Sequence, residues 1–312
     1  MRYGRGVRVR RVLIAAVVVL TIVAGSAGVQ TTHVSRAGSP TPPPAPPTGT
    51  VAGLDVSAYQ HGVQWKKVAS AGARFAYIKA TEGSDYRSER FRYQFAGAGK
   101  AGLIRGGFHF ARPNQSTPVA QARYFVSALA SVGASASTTI HTIHTAPTLP
   151  PLLDLEYDPY ARSDGTNSCW GLTPKQMVVW ISSFIDTVTG LTGRVPAIYT
   201  TTNWWVKCTG DSADFVGNPL FLARYVDSPA EGAGILPSGW KRWTIWQYTS
   251  HGRRYAGVTS GKKGDTRASD EDLFAGTPDD LRALATSTFV DATGLQPAPR
   301  NLLPPSASPG RP

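Results

Sequence analysis

The sequence holds only two cysteines, Cys169 and Cys208, in 312 residues. There is no zinc-finger spacing and no histidine cluster beside either thiol, so no metal site is expected. In an exported chain an even pair points to one disulfide, whose closure is worth roughly 4 kcal/mol in the chain-entropy model; two separate buried thiols are the alternative. Acidic residues are also in short supply. Against 32 Lys and Arg stand 20 Asp and Glu, a net charge of +12 and a pI near 9.9. That excess favours polyanions: nucleic acid, a membrane surface or the anionic polymers of a cell wall. The folded region lacks any Lys/Arg run, so no nucleic-acid partner is expected. Long apolar runs are missing too. The uncharged stretch 12–25 follows Arg2, Arg5, Arg8, Arg10 and Arg11 and precedes the small residues Gly25, Ser26 and Ala27. It is too short to cross a ~30 Å hydrocarbon core comfortably. Residues 1–27 therefore read as a signal peptide, with a retained anchor as the alternative; a signal peptide implies a secreted protein with no membrane insertion after cleavage.

What is present is ample core material: 41% hydrophobic residues, with eight Trp, twelve Tyr and eleven Phe. Residues 28–50 form a Pro-rich linker that cannot build a core, and 287–312 read as an unstructured tail. Between them lies one domain, 51–286. Strand-like apolar runs fall at 53–58, 75–80, 104–110, 152–157, 197–201, 220–225, 244–248 and 269–274, several of them apolar on both faces as buried parallel strands are. Amphipathic stretches at 63–71, 89–101, 119–131 and 174–189 separate the early ones, and Thr173-Pro174 is a helix start. The alternation predicts an α/β fold, an irregular (β/α) TIM-like barrel whose later repeats are short of helix. The segment 133–147, with His141 and His144, reads as an exposed surface loop.

In such barrels chemistry gathers at the C-terminal ends of the strands. Those ends carry Asp55, Ser57, Tyr59 and Gln60; Lys79 and Glu82; His109 and Arg112; Asp154, Glu156 and Tyr157; Tyr199 and Asn203; Arg224 and Tyr225; Trp246, Gln247 and Tyr248; and finally Asp270 and Asp272. Carboxylates ringed by aromatics suit a polysaccharide cleft, because sugar rings offer apolar faces to aromatics and hydroxyls to polar groups. Asp154 and Glu156 are the sharpest feature. Side chains two apart on a strand point the same way, and two close carboxyls resist ionising together, which keeps one protonated at neutral pH. A glycosidase needs that division between an acid and a stabilising carboxylate. A helix cap, or a pair with Arg224 or Lys79, is the structural alternative. Asp55 interrupts an apolar run, where an unpaired charge is costly unless it lines a cavity. Asp270 could instead belong to a solvated acidic turn. His109 fits a satisfied core histidine as well as a site group, and Lys79 and Glu82 could pair with each other.

Taken together the motifs resemble the glycoside hydrolase family 25 lysozymes, the Chalaropsis-type N-acetylmuramidases. They are Gly53-Leu54-Asp55-Val56-Ser57, Phe75-Ala76-Tyr77-Ile78-Lys79-Ala80-Thr81-Glu82-Gly83, Gly107-Phe108-His109-Phe110, Leu153-Asp154-Leu155-Glu156, Ala197-Ile198-Tyr199-Thr200 and Ile245-Trp246-Gln247-Tyr248-Thr249. They occur in the family's order from about residue 52 to 276. The resemblance implies cleavage of the β-1,4 bond between N-acetylmuramic acid and N-acetylglucosamine in bacterial cell-wall peptidoglycan, without a cofactor. It implies Glu156 as general acid/base and Asp154 as the partner of the substrate's 2-acetamido group, with Asp55 and Asp270 lining the cleft. Tyr59, Lys79, Glu82, His109, Tyr157, Tyr199, Arg224, Trp246, Gln247 and Tyr248 are the expected substrate-binding set, in a monomer. The sequence departs from the family near the last strand, where Ser269-Asp270-Glu271-Asp272 replaces a pattern close to Val-Asp-x-Asn, and in the longer segment 133–147. Two competing expectations are a catalytically silent wall-binding protein on the same barrel and a glycosidase of different specificity, such as for chitin.

Overall fold

A computed structural model describes residues 48–134, 147–160, 167–260 and 269–286. The expected signal peptide, nearly all of the linker, the tail, and most of the 133–147 segment with His141 and His144 lie outside the described residues. The elements run β1 (Thr50–Val56), β2 (Gln60–Val63), α1 (Trp65–Ser70), β3 (Phe75–Glu82), β4 (Tyr86–Arg87), α2 (Phe91–Lys100), β5 (Ile104–Phe110), α3 (Pro118–Ala130) and β6 (Leu152–Asp154). They continue with α4 (Pro174–Thr192), β7 (Ala197–Thr200), α5 (Thr202–Thr209), β8 (Leu220–Ala223), β9 (Ile245–Gly252), β10 (Val258–Ser260), β11 (Ser269–Ala275) and α6 (Pro278–Thr286). Helix starts follow local chemistry. Thr117 and Thr173 cap α3 and α4 ahead of a first-turn proline, and Thr173 with Gln176 completes a capping box.

Among the described residues eight strands close a barrel in the order β1-β11-β9-β8-β7-β6-β5-β3 and back to β1. Six neighbouring pairs are parallel. Strand β11 runs antiparallel to both β1 and β9, and no α-helix lies between β8 and β9 or between β9 and β11 among the described residues. The barrel is thus irregular, as the scarcity of late helical pattern predicts. The sequence reading did not foresee the reversed last strand, the β2–β10 ribbon or helices α5 and α6.

Side chains alternate across the barrel wall. Val51, Phe75, Tyr77, Phe108, Leu152 and Phe221 fill the interior, whereas Leu54, Ile78, Phe125, Phe184 and Trp204 pack between sheet and helices. The interior is filled so closely that glycine is required on β1: a Cβ on Gly53 would stand 2.4 Å from ring carbons of Phe75. At the closed end, Leu281 and Leu284 of α6 join the interior cluster. Buried Arg194 donates there to the carbonyl oxygens of Thr148 at 2.6 Å, Leu149 at 3.1 Å and Leu284 at 2.8 Å. Three oriented acceptors satisfy a charge that burial would otherwise disfavour.

Candidate active site

Inward parity decides which side chains reach the open mouth. On the parallel strands these are Asp55, Lys79, Asp154, Tyr199 and Gln247, the first four in the C-terminal halves of their strands and Gln247 near the start of the longer β9. On β11 the reversed direction brings the N-terminal end to the same mouth, and pairing sets Asp270 directly opposite Asp55. Glu156 lies two residues past β6. Leu155 N–H donates to the Tyr199 carbonyl at 3.0 Å, and the Trp170 indole N–H donates to the Glu156 carbonyl at 2.9 Å. Trp170 is buried with φ 62°, an unfavourable conformation for a bulky residue, beside the Cys169–Cys208 disulfide that ties this segment to α5. These groups enclose a cavity of about 230 Å3 with Phe108, Phe110, Phe221 and Tyr225 in its walls.

A polar relay fixes one side. Tyr199 and Tyr225 hydroxyls donate to Gln247 Oε1 at 2.8 and 2.9 Å, and Gln247 Nε2 donates to Asp55 Oδ2 at 2.6 Å. With both phenols directed at its carbonyl, the amide must present N–H to Asp55. Burial nevertheless pushes the Asp55 carboxyl up to about 7, opposed by the Gln247 bond and reinforced by Glu156. Asp154 is raised well above the usual range, by burial first and then by the neighbouring Glu156 charge, with Lys79 opposing. Its Oδ1 is buried without a hydrogen-bond partner. Glu156 presents surface to the cleft, yet the walls still desolvate its carboxyl and raise its pKa; the Asp154 hydrogen bond and Lys79 oppose the shift. Asp270 is raised by burial and by Asp55 and Glu156. Burial biases all four carboxyls toward their protonated forms, with Lys79 opposing at Asp154 and Glu156, and that is the direction an acid catalyst requires.

Lys79 faces the same cavity, bonded to Glu82 at 2.6 Å and 4.6 Å from the Phe110 ring centre. Tyr59 is largely exposed at the rim. Glu82 lies in an adjoining chamber and also accepts from Tyr160, a residue that no sequence pattern singled out.

Four expected substrate contacts lie elsewhere for reasons of parity or packing, and one lies outside the cavity lining. His109 points outward, fully buried between Thr81 at 2.8 Å and Gln121 at 3.0 Å and stacked on Phe184. Burial lowers its pKa to about 3, so it is a neutral core histidine. Trp246 and Tyr248 flank inward Gln247 and therefore face out: Trp246 donates to the Arg224 carbonyl at 2.9 Å, and Tyr248 bonds Glu271. Arg224 turns away to the Gly232 carbonyl, and its neighbour Tyr225 occupies the cleft instead. Tyr157 is exposed outside the cavity lining, with Lys207 Nζ 5.5 Å from its ring centre.

On β11 the acidic run divides by the same rule. Glu271 points outward to the Arg254 N–H at 2.7 Å, while Asp272 is buried inside the barrel with neither carboxyl oxygen hydrogen-bonded. Among the described residues no group of three or more His, Cys, Asp or Glu is placed to hold a metal ion.

Comparison with known proteins agrees with this geometry. The family model described as "Glycosyl hydrolases family 25" matches residues 54–257. The N,O-diacetylmuramidase of Chalaropsis sp is 42% identical over 76% of this chain and 100% of its own. Lysozyme M1 of Streptomyces globisporus is 40% identical over 77% of this chain and 73% of its own. Among solved structures, a family GH25 lysozyme from Aspergillus fumigatus is similar with a TM-score of 0.63 and 39% identity, over 76% of this chain and all of that one.

Proposed function

The chain belongs to glycosyl hydrolases family 25 as a lysozyme-type glycoside hydrolase, and from that premise we propose that it cleaves the β-1,4 bond between N-acetylmuramic acid and N-acetylglucosamine in peptidoglycan. The observation that carries this reading is the desolvated Asp154–Glu156 pair at the cavity floor, both members raised in pKa. Glu156, the member open to the cleft, delivers a proton to the glycosidic oxygen as the C–O bond breaks. The substrate's acetamido oxygen closes on the anomeric carbon in place of an enzymic nucleophile. Asp154, whose Oδ1 lacks a protein partner, accepts the acetamido N–H. Water then opens that intermediate while Glu156 takes back a proton.

Asp55, held by Gln247, and Asp270 stabilise the developing positive charge from the opposite wall. Tyr59, Tyr199, Tyr225 and Lys79 hold the sugars. The N-terminal pattern supports a secreted enzyme, and we propose that it acts on the wall as a monomer.

Clearing of purified walls tests the assignment. Wild type should clear a suspension and Glu156→Gln should lose at least about a hundredfold in rate, as removal of a general acid does. A Glu156→Gln variant that clears walls at the wild-type rate removes Glu156 from its role.

A further inference from the structure

A larger chamber of about 700 Å3 opens beside the carboxylate cavity and shares Ser57, Tyr59 and Lys79 with it. Its walls carry both signs of charge. Lys79 and Glu82 neutralise each other. Arg112 and Asp85 do not. The Arg112 guanidinium lies 4.5 Å from the Tyr160 ring centre, and its Nε is buried without a hydrogen-bond partner. Among the described residues it has no carboxylate partner. Asp85, exposed on the same chamber, makes no ion pair or hydrogen bond among the described residues.

Sugar hydroxyls can hydrogen-bond either group, but an uncharged N-acetylated glycan supplies no counter-charge for two unneutralised opposite charges. The peptide attached to the lactyl group of muramic acid does, because it carries free carboxylates and, at a dibasic residue, a free amine. We propose that this chamber binds the stem peptide of peptidoglycan, Arg112 taking a peptide carboxylate and Asp85 the amine. The inference rests on the muramidase reading of the adjoining cleft, whose shared rim lets one ligand occupy both spaces. Stacking on Tyr160 holds the planar guanidinium ready for a two-point carboxylate contact, which a flexible ammonium would not provide as well.

Two measurements on the full chain separate this proposal from its premise. Free stem tetrapeptide (L-Ala, D-Glu, a dibasic residue, D-Ala) titrated calorimetrically into wild type should bind saturably. Arg112→Gln and Asp85→Asn should each weaken it about tenfold, the loss of one charge-assisted contact, and acetylating the peptide amine should mimic Asp85→Asn. No saturable binding, or binding that neither variant weakens, overturns the proposal whether or not the protein is an enzyme.

The second compares cleavage of peptide-bearing glycan with that of glycan stripped of peptide, its freed lactyl carboxyls capped as amides so that no carboxylate remains. Both variants should lose about tenfold in kcat/KM on the first and nothing on the second. Equal losses on both would make the chamber a sugar subsite. Wild type that binds the tetrapeptide but cuts neither glycan would sink the muramidase reading and leave the peptide site standing.

Discussion

The fold should be less stable at pH 7 than at pH 4 wherever Asp55 is concerned, and Asp55→Asn should remove that penalty. Burial raises the Asp55 carboxyl from 3.8 to about 7. An acid whose folded pKa exceeds its unfolded value binds more protons in the native state, so its contribution is intact below about pH 4 and is lost as pH climbs to 7. Three units at about 1.4 kcal/mol each give a ceiling near 4 kcal/mol, reduced by whatever proton Glu156 shares. In a barrel of this size that ceiling amounts to roughly 10 °C in Tm.

His109 acts in the opposite direction. Its pKa is lowered to about 3, so burying it neutral costs stability below about pH 6.5 and that cost fades as pH rises. Both proteins keep His109, and the variant-minus-wild-type difference therefore isolates Asp55. Urea unfolding followed by tryptophan fluorescence from pH 4 to 8 reads it directly. The difference should grow in favour of Asp55→Asn between pH 4 and 7 and then level off. A difference that stays flat, or that shrinks with pH, refutes the argument that a desolvated carboxyl is being forced to ionise there.

Three further outcomes follow from the disulfide, the interior packing and the Trp170 hydrogen bond. Reducing Cys169–Cys208, whose partners are 39 residues apart, should cost about 4 kcal/mol and lower Tm by about 10 °C; an unchanged melting curve under reductant, with free thiols proven by mass spectrometry, contradicts it. Gly53→Ala must displace the Phe75 ring and should destabilise by about 1–3 kcal/mol, measured by chemical denaturation; a neutral effect would mean the interior is looser than described. Trp170→Phe removes the indole bond to the Glu156 carbonyl and should lower kcat about tenfold with little change in KM, the mark of a mispositioned acid. A change in KM alone would assign Trp170 to substrate binding.

Much of this molecule is legible in the sequence because short apolar runs, several apolar on both faces and bounded by turns, locate buried strands without tertiary information. All eight barrel strands fall on runs such as 75–80 and 104–110, and Asp55 and Asp154 stand out as charges in apolar surroundings. What failed was parity at the strand ends. Trp246-Gln247-Tyr248 presents three attractive side chains, and only the register of β9 tells that the middle one faces the cleft. His109 was ambiguous for the same reason, resolved by Thr81 and Gln121 on its outer side. Strand direction was also hidden: antiparallel pairing of β11 with β1 is a long-range property, yet it is what carries Asp270 to the mouth. Arg112 was legible as a strand-end group, but Tyr160 and Asp85 join it in one chamber through loops whose approach no local pattern encodes.

The central claim is the bond that is cut and the residue that cuts it. Borohydride reduction of wall digests followed by mass spectrometry of the fragments tests both in one experiment. Wild-type digests should carry reduced muramic acid at the new ends, and Glu156→Gln digests should carry essentially none. New ends bearing reduced glucosamine, or muramic acid ends released equally by Glu156→Gln, would contradict the account.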